Sequence, residues 1–310
     1  MFYSSDRAEK PTRDGKVTMD PSNDPQRTHT TISTSGSRPK SLSEEQKHRH
    51  QDAFVPTTGT MPDRLGRGLT TGKGFFAALV AFGAWYVVVC SITIGVGMLV
   101  FHVLAHTWVG TTERSFQLWL VHHGTKFISS LSAVPSFLGG VQGVVPVVLI
   151  VTIILLFRRW GRRSFILMAA LLVELVVFLT ANQVVRRPRP AIRHLGVTPP
   201  TFSFPSGHMA ATVALYGGIV VVTYVATTRR WPRVGAWLLA LVMTLTVGLS
   251  RMYRGDHFPT DVLAGLLVGL TALYVGIFII RTLCATQLAL GSHPRSRETM
   301  QSHDEKLRAD

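Results

Sequence analysis

The sequence predicts an all-α protein, a polytopic membrane helical bundle with about six transmembrane helices. Three observations carry that expectation. Mean hydropathy is +0.27 although both ends of the chain are polar. The apolar residues, 46% of the total, gather between residues 75 and 283 in runs of membrane-spanning length rather than in amphipathic periods. The formal net charge of +15 is concentrated in that same region, where sixteen Lys and Arg face four acidic residues, and most of these cations fall in short loops. Basic loops of this kind fit membrane topology and anionic ligands, so no nucleic-acid partner is expected.

Residues 1–72 are rich in Ser, Thr, Pro and charged residues without an apolar period, and they read as a disordered cytoplasmic tail. No apolar stretch follows the first basic residues, so this segment is not read as a signal peptide. The membrane domain occupies 73–283, and 284–310 reads as a second disordered cytoplasmic tail. Six spans are expected at 74–105, 137–157, 164–185, 208–227, 234–249 and 259–280, each near the length a bilayer core of about 30 Å needs. Segment 115–134, apolar on one side, is expected to be an interfacial helix, with His122 and His123 at the membrane surface. Cys90 and Cys284 offer neither a disulfide framework nor a thiolate metal site.

Orientation follows from RRWGRR at 158–163 and RRWPR at 229–233, which with Arg64, Arg67 and Lys73 put both termini in the cytoplasm. Three segments then reach the outer face: RRPRP at 186–190, PSGH at 205–208 and SRMYRGDHFPTD at 250–261. Arg189 and Arg251 present planar donor forks suited to phosphate oxygens. Ser206 and Gly207 precede a span, where a hydroxyl and unpaired backbone N–H groups form an anion site. His257 and Asp261 are four apart with Pro259 at a first helical position, which folds the carboxylate back toward the imidazole. One ring nitrogen is then fixed and the other is free to attack phosphorus, while His208 serves as general acid and later activates water.

The order Arg-Pro, Pro-Ser-Gly-His, then Ser-Arg, five residues, His, three residues, Asp resembles the three-part signature of the type 2 phosphatidic acid phosphatase family. That family also includes vanadium haloperoxidases and glucose 6-phosphatase. The resemblance covers 75–280 and implies His257 as nucleophile, Asp261 as its orienting partner and His208 as general acid. Arg189, Ser206, Gly207 and Arg251 would bind phosphate. The family's first motif begins with a lysine seven residues before the Arg of its Arg-Pro pair, and Asn182 stands there instead. Arg186 and Arg187 are the candidates to supply the missing charge, and a lysine introduced at Asn182 is expected to raise turnover. Arg186, Arg187 and Arg193 read equally well as contacts to lipid head groups.

Glu174 lies within a span, eight residues before Asn182, and is expected to hydrogen-bond between helices rather than to reach the phosphate. Glu113, Glu174, Asp256 and Asp261 do not form a carboxylate cluster, so neither a metal nor another cofactor is expected. The leading expectation is a lipid phosphatase of the cell membrane with its site on the outer face. A polyprenyl diphosphate, phosphatidic acid or phosphatidylglycerol phosphate would suit it as substrate. A lipid phosphotransferase, or a non-catalytic protein that binds lipid head groups, stays open at this stage.

Overall fold

A computed structural model describes residues 54–196 and 200–291. Nine α-helices make up the framework of these residues: α1 (Met61–Gly68), α2 (Gly72–Met98), α3 (Trp108–His122), α4 (Lys126–Leu138), α5 (Val141–Phe157), α6 (Ile166–Val185), α7 (Gly207–Ala226), α8 (Arg230–Tyr253) and α9 (Pro259–Gly291). Five of them, α2, α6, α7, α8 and α9, are long and apolar enough to cross a membrane, and α2 runs on through a π-helical turn (Leu99–Val103) and a 3-10 turn to His106. The sixth crossing expected from the sequence is divided. The 17 residues of α5 fall just short of a span, and the crossing is reached only together with α4, to which α5 is bent by 46°. Gly139 and Gly140 occupy the break, and their lack of a side chain leaves room beside Val247 and His208.

Large apolar side chains point outward along the spans, among them Phe75, Val87, Ile92, Leu172 and Leu267, each more than half exposed. Water would not tolerate such a surface, whereas acyl chains match it. Inside the bundle α9 is the central element and packs on α6, α7 and α1. Small residues allow that closeness. A Cβ at Gly265 would come within 2.4 Å of the Ser206 carbonyl oxygen, and one at Gly269 within 2.5 Å of the Ala210 carbonyl oxygen. These two glycines, one turn apart, seat the start of α7 directly against α9, as small-residue stripes do in membrane helix pairs.

Helix ends follow local chemistry. Thr71 and Thr125 accept backbone N–H bonds from Gly74 and Ile128 and so cap α2 and α4. At the end of α6, Arg186 takes a left-handed conformation (φ 51°) just before Arg187-Pro188, which cannot continue the helix. Gly255 (φ 79°) turns the chain after α8, and Pro259 opens α9 at its first position. The ends of α6 and α8 and the starts of α7 and α9 therefore meet on one side of the bundle.

Two boundaries differ from the sequence reading. The segment 54–72, expected to be part of a tail, is built onto the bundle: Phe54 is buried against Trp160, with ring centroids 6.4 Å apart. Helix α1 lies so close to α9 that a Cβ on Gly66 would come within 2.4 Å of the Ala285 Cβ. A polar octapeptide with one glycine at the contact carries no apolar period that could announce this docking. At the other end, α9 continues to Gly291 rather than stopping at 283. Segment 115–134 is also not one helix, because the chain breaks between α3 and α4, and α3 turns buried polar side chains inward.

Candidate active site

The cluster is built around His257, which is 3% exposed. Its Nδ1 lies 2.7 Å from the Ser203 carbonyl oxygen, and its own carbonyl accepts from Gln117 Nε2 at 2.9 Å. A carbonyl only accepts, so Nδ1 carries the proton and Nε2 carries the lone pair. Asp261 does not make the direct bond expected from its spacing. Its Oδ2 is 4.0 Å from His257 Nδ1 and instead accepts from the Ser203 hydroxyl and, at 2.9 Å, from the Phe258 N–H. Asp261 thus acts one residue removed: it fixes Ser203, and Ser203 fixes the imidazole. Burial pushes the His257 imidazole well below its ordinary value of 6.5, the guanidiniums of Arg251 and Arg189 push it further, and the Ser203 carbonyl opposes both.

Arg187, a candidate for the missing phosphate charge, turns away from that role. Its Nη1 donates to Asp261 Oδ1 at 2.6 Å and to Thr260 Oγ1 at 2.8 Å, and its Nη2 donates to Glu113 Oε2 at 2.9 Å. The guanidinium also covers the Phe258 ring at 4.0 Å from its centroid. Glu113 accepts in addition from the Thr260 N–H at 2.7 Å. Arg187 is therefore a buried clamp behind His257, joining α3 to the start of α9. Arg186 is exposed and donates from Nε to the Gln183 carbonyl at 2.8 Å, so it also leaves the cluster.

Asn182 does not replace a lysine either. Its Nδ2 donates to the carbonyls of Phe202 and Phe204 at 2.9 and 3.0 Å, and its Oδ1 accepts from the Phe202 N–H at 3.0 Å. The side chain is fully buried and fastens the loop on both sides of Ser203. A lysine here would meet two carbonyls and lose the acceptor for an N–H, which removes the basis for expecting higher turnover.

Two further arginines, Arg189 and Arg251, act electrostatically on His257, and Arg189 also lines the cavity beside it. Arg189 is held by Thr201 through its carbonyl (3.1 Å) and hydroxyl (3.0 Å) and by the Asp256 carbonyl (2.7 Å). Burial lowers the proton affinity of Arg189 while Asp256 and Asp261 restore part of it. Arg251 donates from Nη1 to Ser136 Oγ at 2.6 Å. Its Nη2 is 3.1 Å from Asp256 Oδ2, yet that ion pair lacks hydrogen-bond alignment, and both Nε and Nη2 remain unpartnered donors. The Ser206 hydroxyl is buried without a partner at the start of α7, beside the first free N–H groups of that helix.

His257, Arg189, His208 and Gly207 line one end of a cavity of about 310 Å³. Its other walls are mostly hydrocarbon, from α5 (Val141, Val144, Val145) and from α6 (Leu171, Leu175, Phe178). Glu174 lines this cavity too, with Oε1 buried and unpartnered, so the expected helix-to-helix bond is not formed by that atom. A guanidinium, two imidazoles and the start of a helix at one end and an apolar chamber at the other make a site for an anionic head group on a hydrocarbon chain. Among the described residues no three His, Cys, Asp or Glu side chains are placed to hold a metal ion.

The model of the PAP2 superfamily matches residues 163–284, which include every residue of this cluster except Glu113, Gln117 and Ser136. Over these residues the chain is similar to the PAP2 superfamily. Among similar proteins, an undecaprenyl-diphosphatase of Sulfolobus acidocaldarius is 28% identical over 138 residues, 43% of this chain and 63% of that protein. A phosphatidylglycerophosphatase B of Bacillus subtilis is 27% identical over 140 residues, 44% of this chain and 68% of its own length. The first of these alignments thus spans slightly less than two thirds of the relative's length. A crystal structure of a transmembrane PAP2-type phosphatidylglycerolphosphate phosphatase from Bacillus subtilis superimposes with a TM-score of 0.51 at 21% identity, over 64% of this chain and 94% of that one. That likeness shows the PAP2 fold.

The sequence did not single out Gln117, Ser203, Thr201 and Ser136. Ser203 and Thr201 act through backbone carbonyls as well as hydroxyls, in a loop with no period to mark them, and Ser136 and Gln117 come from helices far away in the chain. Glu113 and Asp256 carried a readable signal, because they are two of only four acids in the membrane domain.

Proposed function

We propose that this protein hydrolyses a lipid phosphate or diphosphate through a phosphohistidine on His257. The observation that carries the reading is the imidazole itself. Nδ1 is tied to the Ser203 carbonyl, and the ring lines a cavity together with Arg189, His208 and Gly207, with the Arg251 guanidinium close enough to act on it electrostatically. Nε2 attacks phosphorus and the bond to the lipid oxygen breaks, with His208 giving that oxygen its proton. Water then attacks the phosphohistidine, His208 takes back a proton, and inorganic phosphate leaves with His257 regenerated. The arginines and the start of α7 stabilise the charge that builds on the equatorial oxygens. The relatives named for undecaprenyl diphosphate and phosphatidylglycerophosphate support a lipid-linked substrate.

The purified chain should release phosphate from lipid phosphates in excess chelator, and His257→Ala should release none. Equal hydrolysis by both proteins would end the phosphohistidine reading. The basic loops at 158–163 and 229–233 lie at the opposite ends of α6, α7 and α8 from the cluster, which supports a cytoplasmic side there and a site on the outer face. A cysteine at exposed Ala191 should react with an impermeant thiol reagent in intact cells. Labelling only after lysis would invert the topology.

A further inference from the structure

Leu171, Glu174, Leu175 and Phe178 stand on one face of α6 at helical spacing, and all four line the cavity that ends at His257. Phe178 marks the head-group end, because a Cβ at Gly207 would lie 3.0 Å from its ring. Glu174 is one turn farther from that end, a rise of about 6 Å. It is 4% exposed, and its Oε1 has no hydrogen-bond partner. A buried polar atom in that position calls for an explanation, and its immediate neighbours on the cavity wall are hydrocarbon.

We propose that Glu174 is a hydrogen-bonding subsite for the polar backbone of the substrate lipid. It would select glycerol-based lipid phosphates, which carry ester or hydroxyl oxygens a few bonds from phosphorus, over phosphates whose chain is hydrocarbon throughout. This rests on the phosphatase reading above and deepens it. With phosphorus at the end of the cavity lined by Gly207 and His257, which Phe178 marks, the glycerol oxygens of such a lipid lie a few bonds farther in, toward Glu174 one turn beyond Phe178. A polyprenyl or simple alkyl chain would bring only C–H groups to that level and leave the carboxyl unsatisfied, and a site built to pair a polar group rejects the analogue that lacks it. The buried carboxyl has no cationic partner among the described residues and is held neutral, so its O–H donates to an ester oxygen; glutamine, whose amide N–H also donates, should be able to substitute.

The test compares diacylglycerol 3-phosphate with hexadecyl phosphate, two monophosphates that differ in oxygens beyond the head group. The full-length wild-type protein should favour the glycerolipid in kcat/KM by on the order of ten-fold, the effect of one hydrogen bond. That ratio should fall to near one in Glu174→Leu and Glu174→Ala and persist in Glu174→Gln. Because the ratio is taken within each protein, a reduced fraction of folded enzyme cancels. A ratio that Leu and Ala leave unchanged would overturn the subsite while hydrolysis itself stands, and so would a ratio that Gln abolishes as completely as Leu. Absence of hydrolysis of both compounds by the wild type would instead remove the phosphatase reading on which the subsite rests.

Discussion

Replacing Asn182 by lysine restores the residue type that the resembling family carries at this position, and the structure predicts that it does harm. Three hydrogen bonds hold Phe202 and Phe204 to the Asn182 amide, all between 2.9 and 3.0 Å, in a position with no solvent exposure. Removing the amide strands one N–H and weakens the pairing of two carbonyls; at about 1 kcal/mol for each group, the loss is roughly 3 kcal/mol. Lysine adds the desolvation of an ammonium and the strain of a longer side chain. The disturbed loop contains Ser203, whose carbonyl orients His257, so catalysis should fall together with stability. Thermal unfolding in detergent should show Asn182→Ala lower than wild type by roughly 6–12 °C, at about 2–4 °C per kcal/mol for a domain of this size. Asn182→Lys should be lower still, with turnover reduced at least about ten-fold. An Asn182→Lys protein that melts with the wild type and turns over as fast or faster would refute the reasoning, because it would mean that the ammonium reaches the phosphate.

Arg187→Gln should cost about 3–5 kcal/mol, since it leaves Glu113 and Asp261 buried without their shared cation, and Arg187→Lys should recover only part because one ammonium cannot reproduce a fork bridging two carboxylates. A melting temperature within a degree or two of wild type for Arg187→Gln would show that the clamp is not needed. The lowered proton affinity of His257 predicts acid sensitivity: the folded ring stays neutral where the unfolded ring begins to take a proton, so the unfolded state binds more protons below pH 6.5. Stability should therefore be full above that pH and fall as pH drops below it, by up to about 1.4 kcal/mol per unit until the folded ring titrates. Melting curves between pH 7.5 and pH 5 should be flatter for His257→Gln, and parallel curves for the two proteins would contradict this.

What was legible in the sequence was whatever contiguous residues state together. PSGH and SRMYRGDHFPTD each carry their polar groups within a few residues, and glycine and proline mark the helix ends beside them. The spans were legible as apolar runs, except where α5 begins after Gly140 and the crossing needs α4, because a bend leaves no mark in hydropathy. The division of labour among the arginines could not be read. Arg187 and Arg189 are two residues apart in an irregular loop, where neither helical nor strand periodicity says which one turns inward. Only the presence of Glu113 and Asp261 on one side and Thr201 on the other decides it, and Glu113 lies 74 positions away from Arg187. Asn182 was read against a family position and hence as a deficit. Its partners are backbone atoms, which any sequence supplies and none announces.

That division has a consequence for the chemistry. Behind His257, Arg187 carries one formal positive charge against two negative ones on Glu113 and Asp261. In front of it, Arg189 and Arg251 carry two positive charges against the single negative charge of Asp256. The neutral imidazole stands between a layer with net negative charge and a layer with net positive charge. In the proposed reaction the ring becomes cationic as Nε2 bonds to phosphorus, while the Nδ1–H points at the Ser203 carbonyl with Asp261 4.0 Å away. The new positive charge thus develops on the side where the fixed charge is negative, and the phosphoryl oxygens lie on the side where it is positive. Both changes are stabilised by groups already in place, so little reorganisation is required as the bond forms. Exchanging the roles of the two arginines would undo this, because a free guanidinium behind the ring would oppose the imidazolium. In the proposed reaction the buried salt bridge of Arg187 would therefore be part of the electrostatics and not only of the fold.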